Sequence, residues 1–373
     1  TVNGELDDFF ALQQRLAAAV HDELTSSSSP RLITQYTPDS SAYDSYMRGM
    51  YALEHRGEDS NLENAIELFR QSIGEDEFYG PAYIALATAY ALLTRYRNRP
   101  VEESSKLAIE TVEAGIAVDA NIEDAAAAVY GSVYHQQKRW SESESAYRRA
   151  VSARVVDSNA FNWYSRMLAS VGRLDDALAQ ALAAAAMDPD NLVINSRVAI
   201  AYTWLGDSGN AAEYFRRSSD LGSAGTTHLL AYALLLSRGG DFAAAREVTE
   251  SATRLAGSDA RWIEPGWAAY EDAALTPQAL SARDIAAERG TLAPAVELGT
   301  RTRFGDLDGA LAVAERLQEP GEIFEMDLLY TPELQPLRDH PGFEPLLDRL
   351  GVTAYWRRAG CEWDGQRAHC AVD

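Results

Sequence analysis

The stretch FNWYSRMLASVGRLDDALAQALAAAAMDP, residues 161–189, decides the fold. Phe161, Tyr164, Ser165 and Leu168 recur at the three- and four-residue spacing of one helix face. Gly172-Arg173-Leu174-Asp175 breaks that pattern, and Ala177, Ala181 and Ala184 resume it on a second helix that stops before Pro189. Small residues let the second helix approach the first closely, while the aromatic rings fill the space left beside them. A glycine after the first helix permits a left-handed cap, and an aspartate following it caps the second.

The same arrangement returns about 34 residues on, with Val198, Ala199, Tyr202, Gly206-Asp207, Ala211, Phe215 and Ser218. Upstream, Tyr46, Gly49 and Met50 pair with Ala65, Phe69 and Ser72. Leu86, Ala87 and Tyr90 pair with Ala108, Val112 and Gly115, and Tyr130, Gly131 and Tyr134 pair with Trp140, Tyr147 and Ala150. Downstream come Tyr232, Ala233, Leu236, Gly240-Asp241-Phe242, Ala245 and Ala252, then Gly305-Asp306 with Ala310, Ala314 and Leu317; Trp262 to Arg289 is helical but degenerate. These residues and their period resemble the tetratricopeptide (TPR) repeat. That resemblance implies an all-α, right-handed superhelical solenoid of about seven or eight helix–turn–helix units, spanning residues 40–318. Its signature positions read as core.

The chain has 373 residues, 46% hydrophobic and 24% charged, ample for a large core. Its net charge of −23 opposes binding to nucleic acid or to an anionic membrane surface. Lys106 and Lys138 are the only lysines, so the arginine excess reads as base composition and not as a site. The longest apolar run, Leu229 to Leu236, is far shorter than the roughly 20 residues that span a bilayer. An opening at Thr1 with no charged-then-apolar leader reads as a piece of something longer.

Three short blocks resemble the bacterial membrane regulators that join a TolB-like domain to TPR repeats, often behind a CadC-type winged helix. They are Leu6-Asp7-Asp8-Phe9-Phe10-Ala11-Leu12-Gln13, Ala42-Tyr43-Asp44-Ser45-Tyr46-Met47-Arg48-Gly49, and Leu334 to Phe343 with Leu350-Gly351. The resemblance implies that residues 1–24 end a TolB-like domain, 25–39 form a linker, 319–352 form capping helices and 353–373 a tail. It also implies an extracytoplasmic sensory or partner-binding segment. The alternatives are a cytoplasmic TPR adaptor or assembly factor, and an accessory domain of a missing catalytic module. Cys361 and Cys370, the only cysteines, fit a disulfide closing a small loop. A metal site with His369 lacks a fourth ligand, and reduced thiols would place the chain in the cytoplasm.

Nothing in the pattern points to catalysis, a cofactor or a metal: the six histidines are scattered, with no HExxH, CxxC, phosphate loop or GxSxG elbow. Paired carboxylates such as Asp175-Asp176 fall at helix starts, where dipole and capping account for them. The partner is therefore expected to be a protein or peptide in the groove lined by the first helix of each pair. Counting from each aromatic position gives His135, Gln136, Asn159, Asn162, Arg166, Ser196, Thr203, Trp204 and Arg238 as groove residues. Asn162 and Arg166, one turn apart, would hold a peptide backbone or carboxylate. The bland reading of each position is a solvated face, and of Trp204, core.

Overall fold

The computed structural model describes residues 37–370 apart from 38, 57–59, 98, 155, 223–224, 256–259, 290–291, 293 and 317–325. The expected TolB-like piece and linker, residues 1–39, lie outside the described residues except for Thr37 and Asp39. The chain divides between Val129 and Tyr130 into two compact units.

The first unit consists of two helix pairs, α1 (Ser40–Glu54) with α2 (Asn61–Glu75) and α3 (Gly80–Arg97) with α4 (Val101–Val118), followed by a 3-10 turn and the start of α5 (Glu123–Gln136). Asp39 accepts hydrogen bonds from the Ser41 and Ala42 amides, satisfying donors that the helix start leaves free. Gly49 lets α1 touch α2: a Cβ there would lie 2.6 Å from the Phe69 ring. Ser72 seals the same junction by donating to the Ala42 carbonyl at 2.7 Å.

In the second unit the rest of α5 packs with α6 (Trp140–Val151). Three pairs follow: α7 (Ser158–Ser170) with α8 (Leu174–Met187), α9 (Leu192–Leu205) with α10 (Ser208–Leu221), and α11 (Thr226–Arg238) with α12 (Phe242–Leu255). The degenerate stretch forms α13 (Ile263–Glu271) and α14 (Thr276–Glu288), and α15 (Pro294–Arg303) pairs with α16 (Leu307–Arg316). Gly206 and Gly240 close the turns inside two pairs at φ 79° and 83°, a region costly for any other L-residue. The aspartates after them cap the next helices, Asp207 accepting from the Asn210 amide and Asp241 from the Ala244 amide. Arg173 stands where those aspartates stand, and makes no cap bond.

The chain then runs through 3-10 turns at Met326–Tyr330 and Pro332–Leu334, short helices α17 (Gln335–Arg338), α18 (Phe343–Arg349) and α19 (Val352–Ala359), and a hairpin of β1 (Cys361–Trp363) and β2 (Ala368–Cys370). These elements are not a layer added to the end of the stack. They lie against first helices such as α7 and α9 and against the second helices α6 and α16, and one continuous core runs from Trp140 and Leu168 through Trp204 to Leu329, Tyr330, Leu346 and Tyr355. Cys361 and Cys370 face each other across the hairpin and are disulfide-bonded.

Candidate functional site

The inner face of the second unit is filled by its own chain. Trp140 donates its indole N–H to the Leu350 carbonyl at 2.8 Å, and Trp356 donates to that of Val171 at 2.8 Å. Tyr330 packs where a Cβ on Gly172 would come within 2.8 Å of its ring. The hairpin docks on the same turn: Ala368 N–H donates to the Gly172 carbonyl at 2.8 Å, Arg367 pairs with Asp175, and Trp363 stacks on Trp356 with centroids 5.0 Å apart. His369 pairs with Asp364 at 3.0 Å, outside any metal arrangement.

Two ionic anchors fix this segment. Arg173 turns inward and donates from Nη1 to Glu144 Oε1 at 2.6 Å and to the Tyr355 hydroxyl at 2.8 Å, while that hydroxyl donates to Glu144 Oε2 at 2.9 Å. Burial opposes the Arg173 charge, but Tyr355, Asp176 and Glu144 outweigh it and hold the guanidinium protonated. Burial raises the Tyr355 phenol well above its ordinary range, so it stays a donor to Glu144. At the second anchor, Asp327 accepts through Oδ2 from Arg197 at 2.8 Å and from the Trp204 indole at 3.1 Å.

The nine positions expected to line an open groove are accordingly placed otherwise, and none is exposed. Trp204 is buried on Asp327, and Arg238 donates to Glu333 Oε1 at 2.9 and 2.7 Å and to the Thr203 carbonyl at 3.1 Å. Thr203 is fully buried, its hydroxyl donating to Ala199 O at 2.8 Å. Ser196 lies 2.7 Å from Nδ1 of buried His228, whose pKa burial pushes down to about 4, leaving a neutral imidazole at pH 7. His135 meets Ser170 at 3.1 Å, Gln136 donates to Ser132, and Asn159 donates to the capping Asp157. Asn162 is buried and Arg166 half-buried, so the pair does not present the open polar face expected of it. Of the nine, Trp204 and Arg238 meet the C-terminal segment, at Asp327 and Glu333.

Glu144, Arg173, Asp327, Glu333 and Tyr355 were the residues the repeat pattern did not mark. One signal for them existed: an arginine, Arg173, where sibling turns carry a capping aspartate. Among the described residues no His, Cys, Asp and Glu group could hold a metal ion, and no helix is long and apolar enough to cross a membrane.

No protein-family model matches the chain, and no curated protein matches it. Among solved structures, human IFIT1, as a dimer with m7Gppp-AAAA, is similar with a TM-score of 0.51 and 13% identity over 85% of this chain and 71% of that one. The chain folds as a tetratricopeptide-repeat solenoid. Partial likenesses extend to PilF of Pseudomonas aeruginosa, with a TM-score of 0.40 and 18% identity over 58% of this chain and 90% of that one. YrrB, described as a TPR protein with an unusual peptide-binding site, has a TM-score of 0.29 and 20% identity over 48% of this chain and 86% of its own. At these identities the likeness concerns the TPR fold, and what those proteins bind is theirs.

Because Asp327 neutralises a buried arginine, Asp327→Ala leaves Arg197 uncompensated and the Trp204 N–H unpaired. Chemical denaturation is expected to show a loss of about 3–5 kcal/mol. A loss below about 1 kcal/mol, the size of an exposed pair, would contradict this placement.

Proposed function

We propose that this chain is a non-catalytic scaffold for protein–protein interaction, and that its partner docks on the first unit. The supporting observation is the exposed face of α1, on the side away from α2. Ala42, Ser45, Gly49, Ala52 and Leu53 are its buried side. Met47 and Tyr51 lie one turn apart on the opposite side, 47% and 65% exposed, with the Tyr51 ring 4.2 Å from that of His55. Two large apolar side chains adjacent on a helix face are a surface that a partner would cover. The inner face of the second unit offers no comparable opening.

The wider role we propose is the extracytoplasmic sensory or partner-binding segment of a membrane-bound bacterial regulator. Its support is the resemblance of the Leu6–Gln13, Ala42–Gly49 and Leu334–Phe343 blocks to the TolB-like and CadC-type regulators, together with the Cys361–Cys370 bond, which belongs in an oxidising compartment. The competing role is a cytoplasmic TPR adaptor or assembly factor, in which both thiols would be reduced.

A photo-crosslinking residue at position 47, introduced in the native host, is expected to give one specific protein adduct. Tyr51→Glu should weaken that adduct at least tenfold without changing the melting temperature. No adduct, or one indifferent to Tyr51→Glu, would remove α1 as the docking face. Thiol counting on protein alkylated at lysis and then denatured is expected to find no reactive cysteine; two would establish the cytoplasmic reading instead.

A further inference from the structure

Among the described residues, Arg283 lacks the carboxylate partner that Arg173, Arg197 and Arg301 have. It projects from α14 with only 5% of its surface exposed, and its guanidinium lies over the Trp262 ring, 4.9 Å from the centroid. Gly266 on α13 makes the room: a Cβ there would come within 3.1 Å of Nη2. Among the described residues neither Nε nor Nη1 of Arg283 has an acceptor, and neither does the indole Nε1 of Trp262, itself 3% exposed. Burying a guanidinium and an indole N–H without acceptors costs several kcal/mol.

Three other inward-placed arginines each have a carboxylate. Arg173 has Glu144, Arg197 has Asp327, and Arg301 has Glu297, Asp284 and Asp306. Glu297 bears electrostatically on Arg283 but is already taken by Arg301 at 3.0 Å and Arg316 at 2.6 Å. Burial chiefly, with repulsion from Arg301, lowers the Arg283 pKa to about 9 against the pull of Tyr270 and Glu297, so the guanidinium remains charged at pH 7. One buried positive charge and orphan N–H donors from two side chains therefore sit near Trp262, Tyr270 and Trp267, with the exposed Arg303 over the Tyr270 ring at 5.0 Å, inside a chain of net charge −23.

We propose that Arg283 and Trp262 form an internal anion site, between α13 and α14, that takes the carboxylate of a small organic acid. A single cation in a low-dielectric setting is balanced by a monoanion, whereas a phosphate dianion would leave a buried negative charge. The aromatic surroundings favour a carboxylate with an apolar substituent over a halide. Because both side chains are nearly covered, the ligand is small, and it enters as the helix pair opens locally.

Calorimetric titration of the full chain with benzoate and with acetate, at constant ionic strength against chloride and inorganic phosphate, tests this. The expected result is saturable binding of one carboxylate per chain, tighter for benzoate, with a matching rise in melting temperature. Arg283→Met should weaken it at least tenfold. If that variant does not fold, Trp262→Phe, which keeps the ring and removes the N–H, should weaken binding several-fold. Absence of carboxylate binding, equal binding of chloride or phosphate, or undiminished binding by a folded variant would overturn the proposal.

Discussion

The Arg173 guanidinium, shared between Glu144 on α6 and Tyr355 on α19, joins two parts of the chain 182 residues apart. A buried ion pair of this kind adds little net stability, because desolvation offsets most of the attraction, but breaking it is costly. Its effect is on arrangement: only one seating of α19 against α6 satisfies all three groups. Around that seating the apolar residues supply the energy. Leu329, Tyr330, Leu334, Leu337, Phe343, Leu346, Leu347 and Val352 are each at most 2% exposed. At about 1.5–3 kcal/mol for each buried side chain, their sum is comparable to or larger than the 5–15 kcal/mol total stability of a typical domain.

Those side chains share one continuous core with Trp140, Leu168 and Trp204 of the repeat helices. The segment is therefore part of the second unit's core, not a resident ligand awaiting exchange. A helical repeat cannot bury its inner side by stacking alone, and in the second unit C-terminal residues cover that side. In the proposed scaffold role a partner would use surfaces the repeats leave exposed, such as the Met47 and Tyr51 face.

The repeats were legible in the sequence because each obeys a local rule: a glycine for a left-handed turn, an aspartate for a cap, a small residue opposite an aromatic. Gly206-Asp207, Gly240-Asp241 and the Gly49–Phe69 contact follow it directly. The Cys361–Cys370 pair was legible for a similar reason, since a nine-residue separation suits a closed hairpin. The filling of the groove was not, because it depends on pairings across long sequence separations, 123 residues for Asp327 with Trp204. Counting positions along one repeat shows which residues face inward and nothing of what meets them there. Arg173 in a capping position, and Arg283 on a degenerate helix, are departures from the local rule, and both carry chemistry that the rule does not supply.

Native-state hydrogen exchange of the intact chain tests most directly whether the C-terminal segment is core. The account predicts that slowly exchanging amides of α7, α9, α18 and α19 open together, with the same free energy and the same denaturant dependence. Rapid exchange throughout 326–359 while α7 and α9 stay protected would show a detachable arm over an open groove, and would contradict it.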